Sequence, residues 1–111
     1  MSNAIHINET DDSPGVILDR DSNIFKISGR SLPENTEKFY APAIRWLEEY
    51  AATPNAETLF TFKVDYFNSS SAKKFIEIIA LLEKIEEGGK AVKILWQHSK
   101  DDELMRARGE E

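Results

Sequence analysis

Over its first thirty positions the chain places apolar residues in short strand-like blocks, and from about position 39 the spacing changes to that of a helix. Val16-Ile17-Leu18 and Ile24-Phe25-Lys26-Ile27 are two β-type runs. The cluster Asp19-Arg20-Asp21-Ser22-Asn23 between them is rich in turn formers, so the pair predicts a hairpin. Ile5 and Ile7 add a short first strand. Gly29 is expected to close the hairpin. Ser31-Leu32-Pro33-Glu34 then offers the Ser-x-x-Glu pattern of a helix start, with Asn35 as an alternative cap.

Phe39, Ala43, Trp46, Leu47 and Tyr50 recur at helical spacing, with Arg45, Glu48 and Glu49 left for the opposite side. Pro42 falls inside this helix, where a missing donor and a crowded preceding turn predict a kink or a late start. Thr53-Pro54-Asn55 ends it. From Leu59 to Phe67 the alternation is strict and predicts a strand with Phe60, Phe62, Val64 and Tyr66 on one face and Thr61, Lys63 and Asp65 on the other. Such a polar second face suits a sheet covered by helices on one side only. The segment Ala72 to Glu87 puts Phe75, Ile76, Ile78, Ile79, Leu82 and Ile85 on a broad apolar face and stops at Gly88-Gly89. Val92 to Trp96 reads as another strand, so strand, helix and strand form a parallel crossover. Asp101 to Arg108 is expected to begin a final helix.

The fold class that follows is α/β, in two layers: a mixed sheet of about four to five strands with helices on one face. A chain of 111 residues is expected to be one domain spanning 1–111. Residues 1–14 are expected to be partly flexible at the N-terminus, and the C-terminal element to be missing or short.

Charge narrows the function. Twenty acidic against fourteen basic residues leave −6, which opposes contact with phosphate backbones, so no nucleic-acid partner is expected. The absence of cysteine excludes disulfides, thiolate metal sites and thiol catalysis. No apolar run reaches the roughly 20 residues that cross a bilayer, and the start lacks a secretory signal. The expectation is a cytoplasmic protein with no membrane insertion.

The chemistry concentrates at Asn68-Ser69-Ser70-Ser71, between the clearest strand and the main helix. Hydroxyls there lie at the carboxyl edge of a sheet and beside a helix N-terminus, where free N–H groups and the helix dipole favour an anion such as a phosphate. The simpler explanation is helix capping, for which Ser and Asn lead the preferences. An alternative function is a small ligand-binding domain or enzyme using the same edge. Only Asp65 and Lys63 stand near the serines to support it, with no nucleophile elbow and no adjacent histidine. His98 with Asp101 and Asp102 is a nonspecific metal pattern, and no cofactor or metal is expected. Gly88-Gly89-Lys90 lacks the spacing of a phosphate loop and reads as a helix end.

Leu32-Pro33-Glu34-Asn35, the run from Asp65 to Lys73, Gly88-Gly89 and Trp96 together resemble the SiaC family of bacterial regulatory phosphoproteins, and Tyr66-Phe67-Asn68-Ser69-Ser70-Ser71-Ala72-Lys73 is the most specific part. The resemblance runs from about Val16 to the C-terminus. It implies an architecture similar to the STAS domains of anti-sigma-factor antagonists and a non-enzymatic, partner-switching role. It further implies a SiaB-type Ser/Thr kinase, a SiaA-type phosphatase of the PP2C class, and a diguanylate cyclase promoted by the unphosphorylated form in c-di-GMP and biofilm signalling. The first hydroxyl after the asparagine, Ser69, is the implied phosphoacceptor, with Ser70 and Ser71 as alternatives. The family also carries threonine at this place. Phe67, Asn68, Ser69, Ser70, Ser71, Lys73 and Lys74 form the expected partner-binding surface, with the two lysines flanking the phosphate.

Overall fold

A computed structural model of the chain describes residues 4–97. Its elements are β1 (Ile5–Ile7), β2 (Gly15–Asp19), β3 (Ile24–Ser31), α1 (Thr36–Ala52), β4 (Glu57–Phe67), α2 (Ser69–Glu87) and β5 (Ala91–Gln97). The strands form one sheet in the order β1-β2-β3-β4-β5. β1 and β3 flank β2 antiparallel, whereas β4 runs parallel to both β3 and β5. The expected α/β class, mixed sheet, first strand and parallel crossover are all present.

Local chemistry accounts for the boundaries. At the β2–β3 tip the Asp19 carboxylate accepts from the Ser22 N–H at 3.2 Å and its hydroxyl at 3.0 Å, and Asn23 takes a left-handed φ of 58°. β3 does not stop at Gly29, as the sequence suggested, but continues to Ser31. Gly29 sits inside the strand at φ +97°, and a Cβ there would lie 2.5 Å from the Glu9 side chain, so this position requires glycine.

α1 is capped by Asn35, whose Oδ1 accepts from the Lys38 N–H at 3.0 Å. The Ser31/Glu34 cap is therefore not used, because Ser31 is still in the strand and fully buried. The late start expected from Pro42 does not occur either. The helix begins at Thr36 and carries Pro42 within it, on an exposed position. Tyr40, Ala43, Trp46, Leu47 and Tyr50 form its buried face, with Phe39 partly buried beside them.

In β4, Thr58, Phe60, Phe62 and Val64 point into the core as alternation requires. The alternation then fails. Gly29 pairs with Val64 but Arg30 pairs with Tyr66, so Asp65 is an extra residue in a β-bulge. Asp65 and Tyr66 both face solvent, and Tyr66, expected on the inner face, is 60% exposed. Phe67 turns inward instead and packs on Phe75 and Trp96 at ring distances of 5.5 and 6.4 Å.

α2 buries Phe75, Ile78, Leu82 and Ile85. Ile76, expected on that face, is 66% exposed. Gly89, at φ +101°, donates to the Glu86 carbonyl at 3.0 Å and Lys90 to the Ile85 carbonyl at 3.4 Å, the paired bonds of a Schellman helix end. Both helices cover the inner face, where Phe25 meets Tyr50 at 5.0 Å and Phe62 meets Trp96 at 4.7 Å. Leu59 and Leu95 remain about half exposed, at 46% and 42%, so the outer face is open among the described residues. No helix among these residues is long and apolar enough to cross a membrane. The helix expected from Asp101, and the His98 cluster, lie outside the described residues.

Candidate functional site

The serine turn is tighter than the sequence suggested. α2 begins at Ser69, three residues before the expected Ala72. Asn68 is the N-cap: its Oδ1 accepts from the Ser71 N–H at 2.8 Å. None of the three serines caps the helix. They occupy its first three positions, and each has a different environment.

Ser71 is fully buried. Its hydroxyl donates to the Ser31 carbonyl at 2.8 Å and accepts from the Ser31 hydroxyl, also at 2.8 Å. The Ser31 hydroxyl, having spent its proton on Ser71, accepts from the Tyr40 hydroxyl. Bond directions are thereby fixed along the chain from Tyr40 through Ser31 and Ser71 to the Ser31 carbonyl, because a carbonyl can only accept. Tyr40 must keep its proton to donate. Burial pushes its pKa from 10.0 up to about 12. The network ties the end of β3 to both helices.

Ser70 is exposed and lines an open cleft of about 400 Å³ between the starts of the two helices, together with Glu34, Glu37, Lys73, Lys74 and Glu77. Lys74 sits on the wall of this cleft with its side chain 11% exposed. Its Nζ is 2.6 Å from Glu37 Oε2 on α1 and 2.9 Å from Glu77 Oε2 one turn on. Hydrogen bonds to Glu37, then to Glu77, hold its pKa above the usual lysine value. Lys74 is thus occupied in joining the helices and does not flank the serine turn as a free cation. The carboxylates around Ser70 would in turn oppose a negative group placed on its hydroxyl.

Ser69 is exposed and its hydroxyl bonds to no described residue. One turn further on lies Lys73, exposed, with no ion pair to a described carboxylate. A helix puts residues four apart on one face, so Ser69 and Lys73 share a side. Phe67, expected to offer an aromatic contact, is half-buried against Phe75 and Trp96. The exposed aromatic beside the turn is Tyr66, with the Arg30 guanidinium 5.1 Å from its ring centre.

Sequence reading missed Ser31 and Tyr40 as supports of the site. Strand alternation carries the signal for Ser31, since Phe25, Ile27 and Gly29 at the same parity are all inward. A tyrosine on the inner face of a helix carries the signal for Tyr40, since its buried hydroxyl requires a partner.

Comparison with known proteins bears on the family and the fold. The family model described as SiaC family regulatory phosphoprotein matches residues 7–111. An uncharacterized protein of Pseudomonas aeruginosa strain UCBPP-PA14 is 28% identical over 107 residues, covering 96% of this chain and 85% of its own length. The crystal structure of apo-SiaC from Pseudomonas aeruginosa superposes with a TM-score of 0.88 at 26% identity, over 99% of this chain and 91% of that one. SiaC in the crystal structure of the diguanylate cyclase SiaD with its activator SiaC, from the same organism, gives 0.86 at 27% identity, over 96% and 87%. With the family model spanning nearly its whole length, the chain belongs to the SiaC family of regulatory phosphoproteins.

Proposed function

We propose that this protein is a partner-switching regulator, phosphorylated reversibly on Ser69. A cognate Ser/Thr kinase adds the phosphate and a PP2C-type phosphatase removes it. The unphosphorylated form binds and activates a diguanylate cyclase in the cytoplasm, and the protein has no catalytic role of its own. The observation that carries this reading is the inequality of the four turn residues. Asn68 is used as the cap, Ser71 is buried in a hydrogen-bond network, and Ser70 lines the cleft that holds Glu34, Glu37 and Glu77, whereas Ser69 is exposed, unbonded and outside that cleft lining, with Lys73 one turn away.

The energetics favour modification at that point. The first N–H groups of a helix have no intrahelical acceptor, and an anion near them gains about 0.3–1 kcal/mol at an exposed position. A phosphate brings about −1.5 to −2 charges, and Lys73 supplies a countercharge without giving up an existing partner. A structure of SiaC bound to the cyclase SiaD supports the choice of effector class, since SiaC shares this fold.

The test is mass spectrometry of the intact protein and its fragments after incubation with ATP and the kinase encoded beside it, comparing wild type with Ser69→Ala and Ser70→Ala. One phosphate should be gained by wild type and Ser70→Ala and lost only in Ser69→Ala. Modification of Ser69→Ala to the wild-type extent would overturn the assignment.

A further inference from the structure

We infer that the outer face of the sheet is a self-pairing surface, on which a second copy of this chain docks about a twofold axis running along the strands. Across the contact Ile24 meets Leu59, Ile17 meets Leu95 and Asp19 meets Lys93, one residue of each pair from each copy. Both helices cover the opposite face, so this pairing is independent of the Ser69 switch.

Strand register lays out this face row by row. Ile17, Lys26, Thr61 and Leu95 form one row across β2, β3, β4 and β5. In the neighbouring row Asp19 pairs with Ile24 and Leu59 with Lys93. Ile24 and Leu59 adjoin each other, because each stands one residue before the paired Phe25 and Phe60. Ile24, Leu59 and Leu95 are three of the six exposed large apolar side chains among the described residues, and half-buried Ile17 lies beside them. Scattered singly they would mean little, but grouped on one open face they mark a contact surface.

Charge identifies the occupant. The patch ends in opposite charges, Asp19 on β2 and Lys93 on β5, about 14 Å apart across three strand spacings and too far to pair within one chain. A twofold axis along the strands, between β3 and β4, lays β3 over the partner's β4 and β2 over the partner's β5. Asp19 then faces the partner's Lys93, and by symmetry Lys93 faces the partner's Asp19. Two ion pairs flank an apolar centre, and Lys26 meets the partner's Thr61, so no like charges are opposed in these rows. Glu9, whose carboxylate lies over Gly29, comes beside the partner's Lys63 in the same arrangement. An axis across the strands sets each strand on itself, so that stacking Ile24 on Ile24 also stacks Asp19 on Asp19 and Lys93 on Lys93. Complementarity therefore selects a second copy as the partner and the strand direction as the axis. With that axis the serine turns, which follow β4 in both copies, lie at the same end of the pair.

Sedimentation equilibrium of the full chain from about 1 to 300 μM measures the pairing, a range suited to a contact at the small end of specific interfaces. The mass of wild type should rise from 12.7 kDa toward twice that value. Leu59→Asp, Lys93→Glu and Asp19→Lys should each weaken pairing at least about tenfold, since every substitution occurs twice in the contact. Combining Asp19→Lys with Lys93→Glu exchanges the signs and should restore pairing to within about threefold of wild type. The two sites cannot meet within one chain, so recovery reports a contact between copies. Thermal midpoints establish that each variant is folded, which matters for Asp19→Lys because the Asp19 carboxylate also holds the Ser22 turn. If that variant does not fold, Leu59→Asp and Lys93→Glu decide alone. A wild type that stays at 12.7 kDa throughout overturns the pairing, and a thermal midpoint lowered by Leu59→Asp would then give the face to a segment of the same chain. A dimer untouched by Leu59→Asp and Lys93→Glu also overturns it and moves the contact to another surface.

Discussion

Two alanine substitutions two residues apart should have opposite consequences. Ser71→Ala deletes a hydroxyl that donates to the Ser31 carbonyl and accepts from the Ser31 hydroxyl, both at 2.8 Å in a fully buried position. The carbonyl keeps a second donor, the Asn68 N–H at 3.4 Å, so its loss is partial. The Ser31 hydroxyl has no such reserve. Already receiving the Tyr40 proton, it is left with a buried donor that has no acceptor, at a cost of about 1–3 kcal/mol. We expect about 2 kcal/mol in total. With a urea slope of roughly 1–3 kcal/mol per molar, the unfolding midpoint should fall by about 1 M, and the thermal midpoint by roughly 8 °C. Ser69→Ala removes an exposed hydroxyl with no partner and should change stability by less than about 0.5 kcal/mol. Phosphorylation should respond in reverse: abolished in Ser69→Ala, retained in folded Ser71→Ala. Equilibrium urea unfolding by tryptophan fluorescence, run beside the kinase assay, measures both. A Ser69→Ala midpoint as depressed as that of Ser71→Ala would refute the separation of roles, since it would make Ser69 part of the scaffold.

Alkaline pH should act through Tyr40, whose pKa is pushed by burial from 10.0 in the unfolded chain to about 12. The folded state holds the proton more tightly, so the contribution is complete below pH 10 and is lost as pH rises through 12. It amounts to roughly 3 kcal/mol over that window. Tyr40→Phe should flatten this part of the stability profile in urea melts taken from pH 9 to 12, and an unchanged slope would show that another group carries it. Gly29→Ala should destabilise by about 1–2 kcal/mol through its φ of +97°. Adding Glu9→Ala removes the flexible neighbour but should recover only a minor part, and full recovery would mean that crowding, not backbone strain, sets the requirement.

Much of the fold is visible in the periodicity because the elements concerned bury one face only. Phe60, Phe62 and Val64 alternate, Tyr50 and Trp46 recur at helical spacing, and Gly88-Gly89 ends α2 in the conformation that glycine allows. The errors occur where periodicity is interrupted by a single residue. Nothing in Asp65-Tyr66 announces that β4 gains a residue relative to Gly29-Arg30, and that one insertion exchanges the faces of Tyr66 and Phe67. Lys74 was misplaced for a related reason: a sequence shows two adjacent lysines, but only the packing of α1 against α2 brings Glu37 to one of them. The division among the serines was equally hidden. Capping preference ranks Asn and Ser alike, and the choice of Asn68 is made by the position of Ser31, which claims the Ser71 hydroxyl.

The division explains how a small modification could act strongly on a partner while leaving the fold intact. The start of α2 is held by the Asn68 cap, by Ser71 on Ser31 and by Lys74 on Glu37, and none of these uses Ser69. A phosphate on Ser69 gains at most about 2 kcal/mol from the helix N-terminus, a mild stabilisation and no reason to rearrange. On a partner bound beside Ser69, a carboxylate facing the turn would meet that same charge across the interface. At 4 Å and an effective dielectric near 20, two unit charges repel by about 4 kcal/mol, and every 1.4 kcal/mol is tenfold in affinity. The intramolecular term favours the modified chain slightly, and the intermolecular term disfavours the complex by far more. A switch built this way needs no second conformation, so phosphorylated and unphosphorylated forms should have nearly the same backbone.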